Sequence, residues 1–226
     1  MKLGILIGTL WAALSLGCAG GKDAQVLESL QGFVSQNPGA LEDAIVAEVN
    51  RVRATFNDPA VLANPAPEQR APLKRHIKPG AKTLDDVAKA HSQAIHEGRF
   101  LQYGSCQETV TYTGQYWTQT FTWTSFCPHY NPMTKTTAWK RVDDAEINNK
   151  GVGEVVAGLP FSYVGSKVSA QDIAKQIVDL WMGSTEHRKQ ILDVISTGPY
   201  TTSTGVGIFL SDSYNMIIAT ELFIRD

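Results

Sequence analysis

The chain has 226 residues, of which 43% are hydrophobic and 19% are charged, and its formal net charge is −2. These values are typical of one or two globular domains and exclude wholesale disorder. The small net charge gives no electrostatic reason to expect a nucleic-acid partner. After the N-terminal segment, no run of apolar residues is long enough to span a bilayer.

The first 17 residues resemble a secretory signal: Lys2 is followed by an uncharged apolar stretch and then by small residues. Two endings stay open. Gly17-Cys18 resembles a bacterial lipobox, in which Cys18 is lipidated and becomes the first mature residue, although the usual Leu is displaced. Alternatively, cleavage after Ala19 releases a soluble secreted protein. We therefore predict an exported protein, attached to a membrane only if Cys18 carries a lipid.

The domain organisation follows from this N-terminus. Residues 18–38 are polar and are predicted to form a tether that leads into a weak first helix. Residues 39–226 are predicted to form one domain, with residues 105–150 inserted into it. We find no internal repeat and no sign of a second domain.

The cysteine count agrees with export. Once Cys18 is lipidated or removed, Cys106 and Cys127 remain. Two cysteines in an oxidising compartment predict one disulfide, which would close a loop of about 20 residues and contribute on the order of 3 kcal/mol. The alternative is two unrelated thiols.

Apolar residues recur at helical spacing in four segments. They predict helices over residues 38–54, from Thr83 to Gly98, from Ser169 to Gly183 and from Thr185 to Leu192. Thr83 with Asp86 and Ser169 with Asp172 have the spacing of N-terminal caps, and Ser184 is the expected N-cap of the fourth helix.

Two other segments alternate with period two. Residues 109–113 and 115–124 flank Gly114 and predict a β-hairpin stapled by the two cysteines. Residues 205–210 and 214–223 predict a second hairpin at the C-terminus. Because helices and strands are segregated along the chain, we predict an α+β fold, an α-β-α sandwich around a central antiparallel sheet with the first hairpin inserted.

Five short motifs follow one another in the order found in one family. They are Val49–Arg53, Ala90-His91, Gly153–Ala157, Trp181–Leu192, and the closing pair Gly205–Gly207 and Thr220–Phe223. Together they resemble the CAP superfamily (cysteine-rich secretory, antigen 5, pathogenesis-related 1), in particular its bacterial SCP-domain branch. The strongest is the segment Trp-x-x-Ser-x-x-His-Arg-x-x-Ile-Leu that begins at Trp181. The resemblance extends from about residue 41 to residue 223.

The resemblance implies an α-β-α sandwich with a surface cavity lined by His and Glu, in a mostly secreted family whose members bind sterols, fatty acids, divalent metals or proteins. Glu154 and His187 match the cavity positions. Gln102 stands where the family usually has a His, and Ser184 where it has a second Glu. We therefore expect a cavity formed by Glu154, His187, Gln102, Ser184 and Glu186. No cofactor is expected, because one clear imidazole makes a thin metal site; the alternative is zinc at Glu154 and His187.

The resemblance places Glu154 and His187 about one hydrogen bond apart. Such a pair can line a ligand cavity, form a buried ion pair or act as a general base. We predict a non-enzymatic protein that binds a small apolar ligand (a lipid or sterol) or an extracellular partner protein. The alternatives are a hydrolase, possibly metal-assisted, that uses Glu154 and His187, and a structural module of the cell envelope.

Overall fold

The computed structural model describes residues 22–37, 39–59, 61, 65–77, 81–98, 105–114, 117–126, 129–131, 134, 136–164, 168–194 and 200–225, with backbone alone at 22, 23 and 105–126. The helices are α1 (Lys22–Gln36), α2 (Ala40–Thr55), α3 (Pro67–Arg70), α4 (Leu84–Gly98), α5 (Ala138–Asp144), α6 (Ala170–Gly183) and α7 (Thr185–Ile191), and a 3₁₀ helix spans Phe161–Tyr163. The strands are β1 (Lys74–Arg75), β2 (Ser105–Gly114), β3 (Trp117–Phe126), β4 (Gly151–Pro160), β5 (Ser203–Ser211) and β6 (Met216–Arg225).

The main sheet has four strands in the order β1-β5-β6-β4. β5, β6 and β4 are antiparallel neighbours, and the predicted C-terminal hairpin is formed by β5 and β6. β1 runs parallel to β5, so the sheet is mixed rather than purely antiparallel as predicted. Parallel neighbours need a long connection, and the chain between β1 and β5 supplies one that includes α4.

Helices cover both faces of this sheet. On one face, α2 and α6 pack against side chains that alternate along β4 and β6, such as Val155, Ala157 and Phe223. On the other face, α4 and the segment that follows α5 pack against Leu222 and Ile224. The mixed helix and sheet class is thus confirmed, and the layers are those of the predicted sandwich.

Helix α4 lies unusually close to the sheet. At Gly207 a Cβ atom would overlap the backbone of Ala88 and Lys89, so only glycine leaves room for the helix. Ser92 Oγ lies 2.9 Å from the carbonyl oxygen of Gly207 and 2.8 Å from the Thr220 hydroxyl. At its N-terminus, Thr83 and Asp86 form the predicted reciprocal cap.

Helix α1 belongs to the domain. Leu30 is fully buried in the core shared with α2 and α6, and Val26, Leu27 and Phe33 pack against that core. These four residues follow the spacing of one helical face. The structure therefore differs from the predicted tether, because residues 22–36 form a helix. Residue 37 follows that helix, and residues 18–21 and 38 lie outside the described residues.

The inserted region has two parts. β2 and β3 form the predicted antiparallel hairpin, with Cys106 opposite Ser125 and Gly114 opposite Trp117. Further along, Val142 of α5 and Ile147 are buried with α4 on the second face of the sheet, so this part of the insertion is integral to the domain. The predicted disulfide, the signal segment and the lipidation site Cys18 all lie outside what the structure describes. No helix among the described residues has both the length and the apolar character to cross a membrane.

Candidate functional site

Glu154 is the centre of a buried polar cluster. It lies on β4 opposite Leu222 of β6, and only 8% of the residue is exposed. Burial alone would raise the pKa of its carboxyl group. The Arg141 guanidinium, His91 and His129 outweigh that effect and lower the pKa to about 2. Glu154 is therefore an anion at neutral pH.

Three basic side chains surround this carboxylate. Arg141 of α5 donates from Nη2 to Oε2, and its Nη1 donates to the carbonyl oxygen of Thr136 at 3.1 Å. His129 Nδ1 lies 3.0 Å from Oε1. His91 of α4 is buried and has its Nε2 3.8 Å from the same oxygen. These contacts hold the carboxylate in one orientation.

His187 lies in the first turn of α7. Its backbone N–H points to Ser184 Oγ at 3.5 Å, so Ser184 is the N-cap that the sequence predicts. Burial, and after it the nearby His129, lower the pKa of the His187 imidazole to about 4, although Glu154 acts in the opposite direction. His187 is therefore neutral at pH 7 and keeps a lone pair on one ring nitrogen.

His129 connects His187 to Glu154. The Nε2 atoms of His129 and His187 are 3.3 Å apart, and the two rings meet edge to face with centroids 5.5 Å apart. At this distance the two nitrogens can form one hydrogen bond, in which either ring can be the donor. The direct hydrogen bond predicted between Glu154 and His187 is thus replaced, in the described contacts, by a relay through His129.

His129, like Arg141, is a site residue that sequence reasoning missed. It is 25 residues from Glu154 and 58 from His187 along the chain, in an irregular segment between β3 and α5. It supplies a second imidazole although Gln102 occupies the family's usual histidine position. No spacing rule points to it, since no helix or strand carries it.

Gly153 precedes Glu154 on β4 and lies beside α7. A Cβ atom at this position would lie 2.5 Å from Oε1 of Gln190 in α7, the far end of a side chain that can move aside.

Of the remaining predicted site residues, Glu186 does not join the cluster. Glu186 is exposed and pairs with Lys189 at 2.8 Å on the surface of α7. Gln102 lies outside the described residues. A cavity of about 350 Å³ lies elsewhere, between Tyr163 and the first turns of α6. The candidate site is therefore the cluster of Glu154, His129, His187, Arg141 and His91.

A divalent ion has two candidate ligands here. Among the described residues, no group of three or more His, Cys, Asp or Glu side chains has metal-binding geometry. The imidazole pair still matches a zinc site, because two nitrogens at about 2.0–2.1 Å from a tetrahedral ion are about 3.3 Å apart. The Glu154 carboxylate behind His129 is the usual outer partner of a zinc-bound imidazole.

Comparison with known proteins gives two structural neighbours. No family model and no curated protein matches the chain. The chain is similar to an extracellular protein containing a SCP domain from Bacillus anthracis, with 18% identity and a TM-score of 0.46, covering 82% of this chain and 40% of that one. It is also similar to an outer surface protein from Borrelia burgdorferi, with 16% identity and a TM-score of 0.44, covering 80% and 88%.

This chain thus spans well under half of the Bacillus protein's length. The description of the Bacillus protein names an SCP domain, and the sequence motifs of this chain resemble the SCP-domain branch of the CAP superfamily. With identities below 25% and TM-scores below 0.5, these likenesses assign neither a family nor a role to this chain.

Proposed function

We propose that this is an exported, non-catalytic binding protein that holds its ligand at the His129–His187 pair. The observation that carries this proposal is the 3.3 Å contact between the two Nε2 atoms, with Glu154 fixed behind His129. An imidazole pair held by a buried carboxylate is preorganised to bind, so little ordering is needed when a ligand arrives.

The ligand contacts of this site are polar. The described side chains nearest to Glu154 are imidazoles and a guanidinium. A lipid or sterol, the class implied by the family resemblance, would place its polar head against them. A partner protein would present a polar or charged side chain to the same pair. That the ligand is a lipid, a sterol or a partner protein is part of the proposal.

A divalent cation such as zinc fits the pair. His129 and His187 would hold it, and Glu154 would orient His129 through the other ring nitrogen. When bound, the ion would supply a positive charge and open coordination positions for an anionic or carbonyl group. The protein's own contribution is the neutral state of His187 and the fixed orientation of His129.

Export and the anchor at Cys18 are part of the proposal. They rest on the N-terminal pattern of one Lys, an apolar stretch and Gly17-Cys18. The descriptions of the two structural neighbours, an extracellular protein and an outer surface protein, agree with export.

A hydrolase is the second candidate, because a carboxylate that orients an imidazole is the arrangement of a general base. Glu154 and His129 have that arrangement at 3.0 Å. In the described part of the chain, however, no hydroxyl or thiol is hydrogen-bonded to the ring of His129 or His187. A hydrolytic reaction here would therefore need water as its nucleophile.

Zinc calorimetry tests the proposal. We would titrate zinc into residues 19–226, purified without metal, and into the variants His187→Ala and His129→Ala. His96→Ala is the matched control, since His96 contacts Ser211 on another part of the sheet. We expect binding by the wild type and the control, and at least a tenfold loss in both site variants. Equal affinity in all four proteins would contradict the proposal.

A further inference from the structure

The stretch between Cys18 and the folded domain is short. α1 begins at Lys22, and Val26 is the first residue that packs on the core, one turn before the buried Leu30. Three residues separate Cys18 from Lys22, so this stretch spans at most about 14 Å when extended. The first helical turn adds about 6 Å. The total reach from Cys18 to the core is about 20 Å.

This reach is small compared with the domain. A domain of roughly 200 residues has a radius of gyration of about 16 Å and a diameter of about 40 Å. A 20-residue tether could extend about 70 Å and would let such a domain turn freely. A 20 Å connection cannot, because it is shorter than the body it would have to swing around.

We propose that, in the lipid-anchored protein, the domain rests directly on the bilayer headgroups through the face that carries the N-terminal turn of α1. This inference rests on the proposed anchor at Cys18. The partner that this face contacts is the lipid surface. The covalent connection through Cys18 holds the face against that surface without a separate lipid-binding site.

The charge of α1 bears on the salt dependence of this contact. α1 contains one basic residue, Lys22, and two acidic residues, Asp23 and Glu28, so its net charge does not attract anionic lipids. The contact should therefore persist at high salt.

Neutron reflectometry on a supported phosphatidylcholine bilayer tests this inference with the full-length, acylated protein. The matched variant carries a 20-residue Gly/Ser insert between Gly20 and Gly21, whose mean span is about 25 Å. Intact mass first establishes whether Cys18 carries its lipid. We expect protein density that begins at the headgroups in the wild type, a hydrated gap in the insert variant, and no change between 0.1 and 1 M salt.

The outcomes separate the two claims. An unacylated mature chain would overturn the anchor at Cys18 and this inference with it, while leaving the imidazole site untouched. An acylated wild type with the same hydrated gap as the insert variant would overturn the inference alone. Protein density that contacts the headgroups in the acylated wild type but not in the insert variant would support both the anchor at Cys18 and the direct contact with the bilayer.

Discussion

At the scale of single residues, the cluster depends on the charge of Glu154. Its pKa is lowered to about 2, below that of an ordinary glutamate, chiefly by Arg141 and two histidines. A carboxyl group with a lowered pKa stabilises the fold above its unfolded pKa, and this contribution is lost as the pH falls through its folded pKa. The stabilisation from Glu154 is therefore present at pH 7 and disappears between about pH 4.3 and 2.

We predict that Arg141→Met lowers the free energy of unfolding by about 2–4 kcal/mol at pH 7, because it leaves a buried carboxylate without its strongest counter-charge. Urea unfolding measures this loss. The double variant Arg141→Met/Glu154→Gln should recover much of it, since the uncompensated charge is gone. A double variant as unstable as the sum of both single variants would show that the two side chains do not interact.

Glu221 is a second buried carboxyl group, unrelated to the site. It is fully buried on β6, and Thr204 Oγ1 donates to its Oε1 at 2.8 Å. Burial, reinforced by Asp85, raises its pKa to about 8 even though Thr204 and Arg53 act in the opposite direction. A raised folded pKa means that stability is greatest below the unfolded pKa and is lost as the pH rises toward 8.

We predict that Glu221→Gln removes a pH dependence of stability. The variant should gain stability relative to wild type as the pH rises from about 4.5 to 8, on the order of 1.4 kcal/mol for each unit of pKa shift that it abolishes. Denaturant unfolding at pH 4.5, 6 and 8 measures the difference. Glu186→Gln is the exposed control. If the difference in unfolding free energy between variant and wild type stayed constant from pH 4.5 to 8, Glu221 would be ionised in the folded protein.

At the scale of helices and strands, the contact between α4 and β5 positions His91. Gly207→Ala would force a Cβ atom into the backbone of Ala88 and Lys89, which cannot move aside as a side chain can. We predict a loss of about 3 kcal/mol or more in unfolding free energy. Gly32→Ala in α1 is the matched control: it meets no atom within 4 Å and should stabilise by about 0.5–1 kcal/mol.

Soluble Gly207→Ala protein with wild-type stability would contradict this packing account. Failure to fold would agree with it, provided that Gly32→Ala folds normally. Thermal unfolding followed by circular dichroism distinguishes these cases with both proteins at equal concentration.

The helices and strands were predictable only in part: α2, α4, α6, α7 and the two hairpins were expected, whereas α3, α5 and β4, the strand that carries Glu154, were not. Caps at Thr83, Ser169 and Ser184 and the period of the apolar residues gave α4, α6 and α7, because these signals are local. β1 was not predictable, since two residues paired in parallel to a distant strand leave no local pattern. α1 was underestimated because its polar flanks outweighed four well-spaced apolar residues.

The site was predictable only in part. Glu154 and His187 were indicated by family motifs, and both lie in the cluster. His129 and Arg141 come from the inserted region, and only the tertiary fold brings them to β4. Their contribution therefore could not be inferred from spacing.

At the scale of the whole molecule, binding should be linked to folding. An ion that binds the imidazole pair only in the folded protein stabilises it by about 2.7 kcal/mol at a concentration 100 times its dissociation constant. We predict that zinc raises the melting temperature of residues 19–226 and that EDTA reverses this rise. His129→Ala should melt at the same temperature with or without zinc. An equal rise in that variant would place the ion elsewhere.

The central claim is that His129 and His187 together hold the ligand. Native mass spectrometry of residues 19–226, purified without added metal or detergent, tests it most directly against His129→Ala and His187→Ala. We predict excess mass of a divalent ion or a small ligand on the wild type, absent from both variants. Excess mass retained when either imidazole is removed would contradict the claim.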